Sequence, residues 1–229
     1  MTTQTIKVGI CGLGTVGQGV IALLSEGGDV LSNRVGGTID LVHVATRTPK
    51  PEVDTLGARD SRDVFDVARD PDVDVLIELI GGTTAAKDLV VEALNHGKHV
   101  VTANKALLAD HGEELFALAE SKGVALPFEA AVAGGIPVIE AVKTSLAGNH
   151  VSSVAGIING TGNFILTEMA VKGREFSDVL AEAQALGYAE ADPTFDVDGT
   201  DAAQKLVLLS SLAFGARIDA NAPFKQGVD

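Results

Sequence analysis

The first two thirds of the chain alternate short apolar runs with segments of helical periodicity, and this alternation constrains the fold most strongly. Five apolar runs predict strands, and the segments between them carry apolar residues at helical spacing and end near glycine. Such alternation predicts a parallel sheet with right-handed crossovers. The predicted strands are 6–11, 39–45, 73–79, 98–103 and 123–128, and the predicted helices are 15–26, 84–97 and 111–123.

From about Gly134 the pattern changes. The stretch GGIPVIEAVKTSL predicts a helix with Pro137 in its first turn, residues 151–159 predict a further strand, and three helical stretches follow to about Gly215. We therefore predict an α/β fold in two domains. Residues 1–133 are predicted to form a Rossmann-type doubly wound parallel sheet that binds a nucleotide, and residues 134–229 a second, α+β domain that faces the substrate.

Charge and composition exclude several classes of partner. The formal net charge is −14 and no basic stripe is present, so no nucleic-acid partner is expected. No apolar run approaches the ~20 residues that cross a bilayer, so no membrane partner is expected, and no signal peptide precedes the first strand. Cys11 is the only cysteine, which excludes an intrachain disulfide and favours a reducing compartment. We expect a cytoplasmic protein.

A glycine pattern, Gly12-x-Gly14-x-x-Gly17, follows the first predicted strand and opens the first predicted helix. Alone the pattern is weak, and a glycine-rich turn that binds nothing is the alternative. Its place in a series of strand–helix units favours a dinucleotide site, where the glycines permit a tight turn, close approach of a pyrophosphate and close helix packing. The candidate cofactor-binding residues of this turn are Gly12, Leu13, Gly14, Thr15, Val16 and Gly17.

The end of the second predicted strand bears on the choice of cofactor. An NAD site usually has an acidic residue there, which accepts hydrogen bonds from the ribose. Here the sequence is VATRTPK, with Arg47 and Lys50 and no acid. A guanidinium suits the 2′-phosphate of NADP, so we expect NADP, with NAD possible and a solvated surface arginine as the alternative for Arg47.

The stretch EADPTFDVDGTDAAQKL places five carboxylates ahead of one lysine, Lys205. A calcium loop is excluded, because aligning Gly199 with the loop glycine puts Lys205 at the closing glutamate position. A charged helix entrance would explain Asp201 and Lys205, which are four residues apart. A site for a small amino acid would explain the rest, since carboxylates hold an α-ammonium group and a lysine exchanges a proton with a hydroxyl. The five acids are Glu190, Asp192, Asp196, Asp198 and Asp201.

Five longer blocks, from about residue 6 to residue 218, resemble homoserine dehydrogenase. They are GLGTVGQGV, ELIGGTTAAKDLVVEALNHGKHVVTANKALLA, EAAVAGGIPVIEAVKTSLAGN, GIINGTGNFILTEM and EAQALGYAEADPTFDVDGTDAAQKLVLLSSLAFG. The resemblance implies an enzyme that interconverts L-homoserine and L-aspartate 4-semialdehyde by hydride transfer with NAD(P). That reaction lies on the branch towards threonine, methionine and isoleucine. The resemblance also implies a homodimer or a higher homo-oligomer, with residues 134–229 as the domain for substrate binding, catalysis and dimerisation.

The resemblance implies roles for individual residues. Lys205 matches the family's proton-transferring lysine, Asp201 the acid beside it, and Lys105 a second lysine of the site. Asn159 to Thr161 match a turn near nicotinamide and substrate. The implied substrate-binding residues are Glu190, Asp196, Asp201, Thr161, Gly160 and Tyr188, and the further implied cofactor residues are Thr102, Ala103, Lys105 and Gly187, besides Arg47.

The resemblance further implies a monovalent cation, sodium in most members, bound by Glu129, Val132, Gly134 and Ile136, largely through backbone carbonyls. Family members continue well beyond a segment like ARIDANAPFKQGVD, so we expect this chain to lack a C-terminal part. Two alternatives remain at this stage. One is an NADP-binding fragment without turnover. The other is a related dehydrogenase that acts on another small polar substrate, such as aspartate 4-semialdehyde by a phosphorylating route. The latter needs a cysteine nucleophile, and Cys11, in the first strand, is unsuitably placed.

Overall fold

The computed structural model describes residues 4–228, which divide into two compact units between Ala131 and Val132. The first unit contains five strands in the order β3-β2-β1-β4-β5, all of them parallel. The strands are β1 (Gln4–Cys11), β2 (Gly37–Ala45), β3 (Arg59–Ser61), β4 (Val75–Glu78) and β5 (His99–Thr102). Its helices are α1 (Thr15–Glu26), α2 (Gly28–Val35), α3 (Val64–Arg69), α4 (Thr84–Asn95) and α5 (Lys105–Lys122), followed by a 3-10 turn at Glu129–Ala131.

The centre of the sheet explains why these residues form a parallel fold. Ile10, Val44 and Leu76 come from three adjacent strands and are fully buried, as small or branched side chains covered on both faces of a sheet should be. The chain crosses from one side of β1 to the other between β3 and β4. In such sheets ligands bind outside the carboxyl ends of the strands where the order reverses, which here lies between β1 and β4.

The predicted sheet is confirmed, with differences at its edges. The segment 123–128 is not a strand, although the carbonyls of Ala125 and Pro127 accept hydrogen bonds from the N–H groups of β5 at 3.0 and 3.1 Å. Pro127 has no N–H to donate, so the pairing stays one-sided. Sequence reasoning also missed α2, β3 and α3. These elements are short, and such runs give little periodicity.

Predicted helix starts also differ from the structure. The helix predicted at 111–123 begins earlier, at Lys105, because the Asn104 side chain accepts a hydrogen bond from the Leu107 N–H and caps it. In the second unit Pro137 lies at the N-cap rather than in the first turn of a short helix, which continues as a π-helical turn.

All the regular secondary structure in the second unit is helical over its described residues, 132–228. The strand predicted at 151–159 is wrong: this stretch has no regular secondary structure, and no described strand pairs with it. Its apolar, β-branched composition favours a strand, but strand formation depends on a pairing partner as well as on local preference. The helices are α6 (Val138–Glu140) with the π-helical turn Ala141–Ser145, α7 (Gly160–Lys172), α8 (Phe176–Ala185), α9 (Thr194–Val197) and α10 (Thr200–Phe214). Within residues 4–228 no helix combines the length and apolarity that a membrane crossing requires.

Candidate active site

A cavity of about 390 Å³ opens in the second unit, where the N-terminal turns of α7 and α10 meet. Both helix starts are set by local sequence. The Asn159 side chain caps α7, and Gly199, at φ 80°, turns the chain into α10 in a conformation that favours glycine. The lining residues are Asn159, Gly160, Thr161, Phe164, Tyr188, Asp196, Asp201 and Lys205.

Lys205 is held by two groups of its own unit. Its Nζ donates to Asp201 Oδ2 at 2.6 Å and to the Ile158 carbonyl at 2.8 Å. The first contact follows from the four-residue spacing on α10, which places the two side chains on one face. A lysine ammonium has three N–H donors, so these two bonds leave one direction for a molecule in the cavity. Only 18 % of the Lys205 side chain is exposed.

Asn159 joins the two cavity carboxylates. Its Nδ2 donates to Asp196 Oδ1 at 2.7 Å and to Asp201 Oδ2 at 2.9 Å, while its Oδ1 accepts from the Gly162 N–H at 2.6 Å. The oxygen contact fixes the orientation of the amide, so both donors face the acids. Sequence reasoning placed Asn159 in a turn near substrate and missed this bridging role, which depends on residues 37 and 42 positions away.

The five crowded carboxylates have different environments. Asp196 and Asp201 line the cavity, whereas Asp192 and Asp198 hold turns. Hydrogen bonds from the Thr194 hydroxyl and N–H lower the pKa of Asp192, and the Thr200 N–H, against the effect of burial, lowers the pKa of Asp198. Both are Asx-type contacts two residues along the chain. The residues that line the cavity do not include the fifth acid, Glu190, which is exposed.

Tyr188 and Thr161 close one side of the cavity. The Thr161 hydroxyl donates to the Tyr188 carbonyl at 2.6 Å, and the Tyr188 ring meets Phe164 edge-on, with ring centroids 5.2 Å apart. Gly187, at φ 77°, makes the turn before Tyr188. Sequence reasoning did not name Phe164. Its position four residues after Gly160 on a helix is the signal that places it on the same face.

This arrangement has the chemistry of a site for a small charged molecule. Two carboxylates can hold an ammonium group, and a lysine with one free direction can take a proton from a hydroxyl or return it. The aromatic and small residues opposite leave room for a short carbon chain. The cavity therefore joins residues predicted for substrate binding with those predicted for proton transfer.

The glycine turn of the first unit connects β1 to α1. Gly12 has φ 105°, and a Cβ there would lie 2.5 Å from the Leu79 carbonyl oxygen. A Cβ at Gly17 would lie 2.0 Å from the Gly12 carbonyl oxygen, so α1 packs closely on the turn. At Gly14 no described atom lies within 4 Å of the built Cβ. Gly12 and Gly17 are thus required by the fold, whereas Gly14 leaves an open approach to the backbone.

The remaining predicted residues of this turn differ in exposure. Leu13 is buried in the core beside β1, whereas Thr15 and Val16, in the first turn of α1, are exposed. The N-terminus of α1 presents N–H groups beside them, which suits an anionic phosphate.

The other predicted nucleotide residues follow the carboxyl ends of their strands. Arg47 is exposed in the loop after β2, while the nearby Arg62 pairs with Asp60 at 2.7 Å. Thr102 is the last residue of β5 and is fully buried. Ala103 and Lys105 follow it and are half-buried.

The predicted cation-binding segment turns sharply. Glu129 lies in the 3-10 turn and is half-buried, Val132 is fully buried, and Gly134 and Ile136 are exposed. Between them Ala133 has φ 51°, a left-handed conformation that is uncommon outside glycine. Among residues 4–228 no group of three or more His, Cys, Asp or Glu side chains is arranged to hold a metal ion.

Family models match most of each unit of the chain. Residues 12–129 match the model described as homoserine dehydrogenase, NAD binding domain, and residues 137–228 match the model described as homoserine dehydrogenase. A homoserine dehydrogenase of Pseudomonas aeruginosa is 56 % identical over 225 residues, which are 98 % of this chain and 52 % of that protein.

Solved structures agree as well. The homoserine dehydrogenase of Thiobacillus denitrificans superposes with a TM-score of 0.94 at 49 % identity, over 98 % of this chain and 52 % of that one. A hyperthermophilic archaeal homoserine dehydrogenase, solved in complex with NADPH, shares the fold with a TM-score of 0.82 at 24 % identity, over 93 % of this chain and 71 % of that one.

The chain spans about half the length of the curated relatives it matches. Within that span, both family models and the relatives agree with the resemblance found in the sequence blocks. The chain belongs to the homoserine dehydrogenase family.

Proposed function

We propose that this chain supplies the nucleotide-binding and substrate-binding parts of an NADP-dependent oxidoreductase. The reaction interconverts L-homoserine and L-aspartate 4-semialdehyde, on the route to threonine, methionine and isoleucine. One observation carries the proposal: Lys205, Asp201 and Asp196 line one cavity, with Lys205 directed by its bond to Asp201. Family membership supports the substrate, because the relatives are homoserine dehydrogenases.

In this proposal the carboxylates of Asp196 and Asp201 bind the α-ammonium group of homoserine. Lys205 accepts the hydroxyl proton during oxidation and, as an ammonium, donates it to the developing alkoxide during reduction. Asp201 orients the lysine through its 2.6 Å hydrogen bond. The nicotinamide, when bound, supplies hydride transfer.

Three further residues complete the proposed substrate assignment. Gly160 and Thr161 begin α7 and present its N-terminal N–H groups, which suit the substrate carboxylate. Tyr188 lines the cavity beside Thr161, whose hydroxyl donates to its carbonyl. The substrate-binding role of Glu190 stays a prediction, because its side chain is exposed and is not among the residues that line the cavity. Lys105, which the resemblance implies as a second catalytic lysine, and Gly187 and Ala103, which it places near the cofactor, also stay predictions.

The first unit fits a dinucleotide. Gly14 leaves its backbone open, Thr15 and Val16 begin a twelve-residue helix, and the N-terminus of that helix favours a pyrophosphate. Arg47 supports NADP over NAD, because an exposed guanidinium after β2 can bind a 2′-phosphate by two hydrogen bonds.

A monovalent cation, sodium, is proposed for the segment from Glu129 to Ile136. The family resemblance supports this proposal, because a carboxylate and backbone carbonyls are the hard oxygen donors that such an ion prefers. The Ile136 carbonyl already accepts a hydrogen bond from the Val138 N–H at 2.8 Å, which leaves one lone pair for an ion. The melting temperature in sodium chloride and in choline chloride of equal ionic strength tests this. Sodium should raise it for the native chain and not for Glu129→Ala.

Two broader assignments accompany the proposal. A cytoplasmic location fits a chain whose single cysteine, Cys11, is a buried thiol with a raised pKa caused chiefly by burial. Assembly into a homodimer or larger homo-oligomer is supported by large apolar side chains exposed on the second unit, among them Ile157 and Phe195. Sedimentation at micromolar concentration tests the assembly.

The test of the proposed function is homoserine-dependent reduction of NADP⁺, followed by the absorbance of NADPH. Turnover that requires homoserine and is faster with NADP⁺ than with NAD⁺ supports the proposal. One observation favours a second candidate, a nucleotide-binding fragment without turnover: the chain has about half the length of its relatives. NADPH binding with no homoserine-dependent rate would select that candidate instead.

A further inference from the structure

One carboxylate in the first unit is buried and has no part in the chemistry described above. Glu78 is the last residue of β4 and is 0 % exposed. Burying a carboxylate costs several kcal/mol unless hydrogen bonds compensate, so its partners should reveal what holds it there.

All the hydrogen-bonding partners found for Glu78 are donors, and they come from the segment after β4 and from the end of β5. Oε1 accepts from the N–H groups of Ile80 and Gly81 at 2.9 and 3.2 Å, and Oε2 accepts from the Thr102 hydroxyl at 2.5 Å. Ile80 and Gly81 belong to the segment 79–83, here the β4 loop. Thr102 begins the connection to α5, whose residues 103–104 are here the β5 loop.

The contacts continue from Thr102 into the β5 loop. The Thr102 oxygen accepts from the Asn104 N–H at 3.0 Å, and Asn104 Nδ2 donates to the Gly82 carbonyl at 2.7 Å. The circuit therefore closes on the β4 loop where it began. In this series of hydrogen bonds the Asn104 N–H donates to the Thr102 oxygen, and the Thr102 hydroxyl donates to Glu78. Because both bonds run in the same direction, the series has to end on an acceptor, and the Glu78 carboxylate is that acceptor.

The glycine turn rests against the same β4 loop. The Leu79 N–H donates to the Cys11 carbonyl at 2.8 Å, and a Cβ at Gly12 would lie 2.5 Å from the Leu79 carbonyl oxygen. The turn after β1 and the loops after β4 and β5 lie at one edge of the sheet, on either side of the point where the strand order reverses.

We propose that Glu78 is a positioning residue for the nicotinamide nucleotide, because its buried carboxylate holds the β4 loop, the β5 loop and, through Leu79, the glycine turn in one arrangement. The inference rests on the proposed cofactor. Glu78 touches no ligand in this role. It holds the three segments in place before the nucleotide binds, so that they lose less conformational entropy on binding.

Two variants and one control separate positioning from simple stabilisation. Glu78→Gln keeps volume and the acceptor for the backbone N–H groups but turns an NH₂ group towards the Thr102 hydroxyl. Thr102→Val removes that hydroxyl without changing shape. Asp70→Asn is the matched control. Asp70 is also buried and accepts from the Asp72 N–H, His43 and Arg59, but it lies before the amino end of β4.

The first measurement is hydrogen exchange of the unliganded chain. Glu78→Gln should speed exchange at Ile80 and Gly81 and also at Asn104, which Glu78 does not contact directly. Asp70→Asn should leave these amides unchanged. Faster exchange at Ile80 and Gly81 alone would overturn the coupling of the two loops, whether or not the chain binds a cofactor.

The second measurement is a titration with NADPH in which the fluorescence of the nicotinamide reports binding. The chain contains no tryptophan, so tryptophan fluorescence does not interfere with this signal. Glu78→Gln and Thr102→Val should each raise the Kd about tenfold, and the double variant should be no weaker than the weaker single variant. Asp70→Asn should bind as the native chain does. A lowered melting temperature with unchanged Kd in Glu78→Gln, or additive losses in the double variant, would overturn the inference. If the native chain does not bind NADPH, the proposed cofactor is wrong. The hydrogen-exchange measurement still tests whether Glu78 couples the two loops.

Discussion

In the function that we propose, the two units of the chain recognise their ligands by different physical means. At the carboxyl edge of the sheet the recognition elements are backbone groups: a glycine turn, a helix N-terminus and loops held by the buried Glu78. In the second unit they are charged side chains: Asp196 and Asp201, which Asn159 bridges, and Lys205, which Asp201 directs. We therefore expect the first unit to recognise a large anion through backbone groups, and the second to recognise a small molecule with an ammonium group through charged side chains.

The difference determines how substitutions should act. Where backbone groups bind the ligand, a substitution should weaken binding only if its new side chain blocks the approach of the ligand or if it moves a loop. The chemistry of the original side chains is then secondary. Where charged side chains bind and transfer a proton, removing one functional group removes a step. We therefore expect the largest losses of rate in the second unit and the largest losses of nucleotide affinity in the first.

The largest effect should come from Lys205→Ala. Removing the group that exchanges the substrate proton should lower kcat for homoserine by at least about a hundredfold, within the range of general acid–base catalysis. The Kd for NADPH should stay within about twofold, since the lysine donates to groups of the second unit. Steady-state kinetics and a fluorescence titration measure the two quantities. Lys172→Ala, which removes an exposed lysine paired with Glu168, is the matched control and should behave as the native chain does.

Gly14→Ala should have the next largest effect, on nucleotide binding alone. Gly14 has φ −72° and no described atom near its built Cβ, so alanine fits the fold. The methyl group should instead occupy the approach of the pyrophosphate and raise the Kd for NADPH by about thirtyfold, on the order of 2 kcal/mol. The melting temperature should not change. Unaltered affinity would show that the nucleotide does not approach this backbone.

Asn159→Asp separates the two roles of that residue. Aspartate can still accept the Gly162 N–H and cap α7, but it replaces a shared donor with a third carboxylate beside Asp196 and Asp201. We expect kcat/KM for homoserine to fall about tenfold while thermal stability is retained. If the variant keeps full activity, the amide is a helix cap and the carboxylates do not depend on it.

The smallest effect should come from Arg47→Ala. The side chain is exposed, so its loss should weaken NADP binding only about fivefold and leave NAD binding unchanged. The exposed Arg34, near the end of α2, provides the control variant Arg34→Ala. Equal losses for NADP and NAD would assign Arg47 to a part of the site common to both cofactors.

The same contrast explains what could be predicted from the sequence. Periodicity predicts β1, β2, β4 and β5, because buried strands in a parallel sheet are continuous apolar runs. The glycine pattern is local as well, so the turn after β1 was predictable, and its role in binding a cofactor stays a prediction.

The cavity was predictable only in part. The four-residue spacing of Asp201 and Lys205 on a helix indicates their contact, and the structure shows it. The bridging by Asn159 and the turn-forming roles of Asp192 and Asp198 depend on which carboxylate faces which donor. Residue types alone do not determine that choice.

Long-range pairing limits the prediction in the same way. The stretch 151–159 has the composition of a strand but no partner strand within residues 132–228. In the sequence Glu78 is a polar residue near the end of an apolar run. Its hydrogen bond to Thr102, 24 residues later, links it to the end of β5, and the sequence does not indicate that contact. Both outcomes depend on contacts between distant residues, which composition and spacing do not determine.

The most direct test of this division is hydrogen–deuterium exchange of the chain in three states: unliganded, with NADPH, and with both NADPH and L-homoserine. Our account predicts that NADPH protects amides at the glycine turn and at the β4 and β5 loops. Homoserine should then add protection at 158–162 and 196–205, around the cavity that Lys205 lines. Protection by homoserine confined to the first unit, or protection by NADPH that spares the glycine turn, would contradict the assignment of the two ligands to the two units.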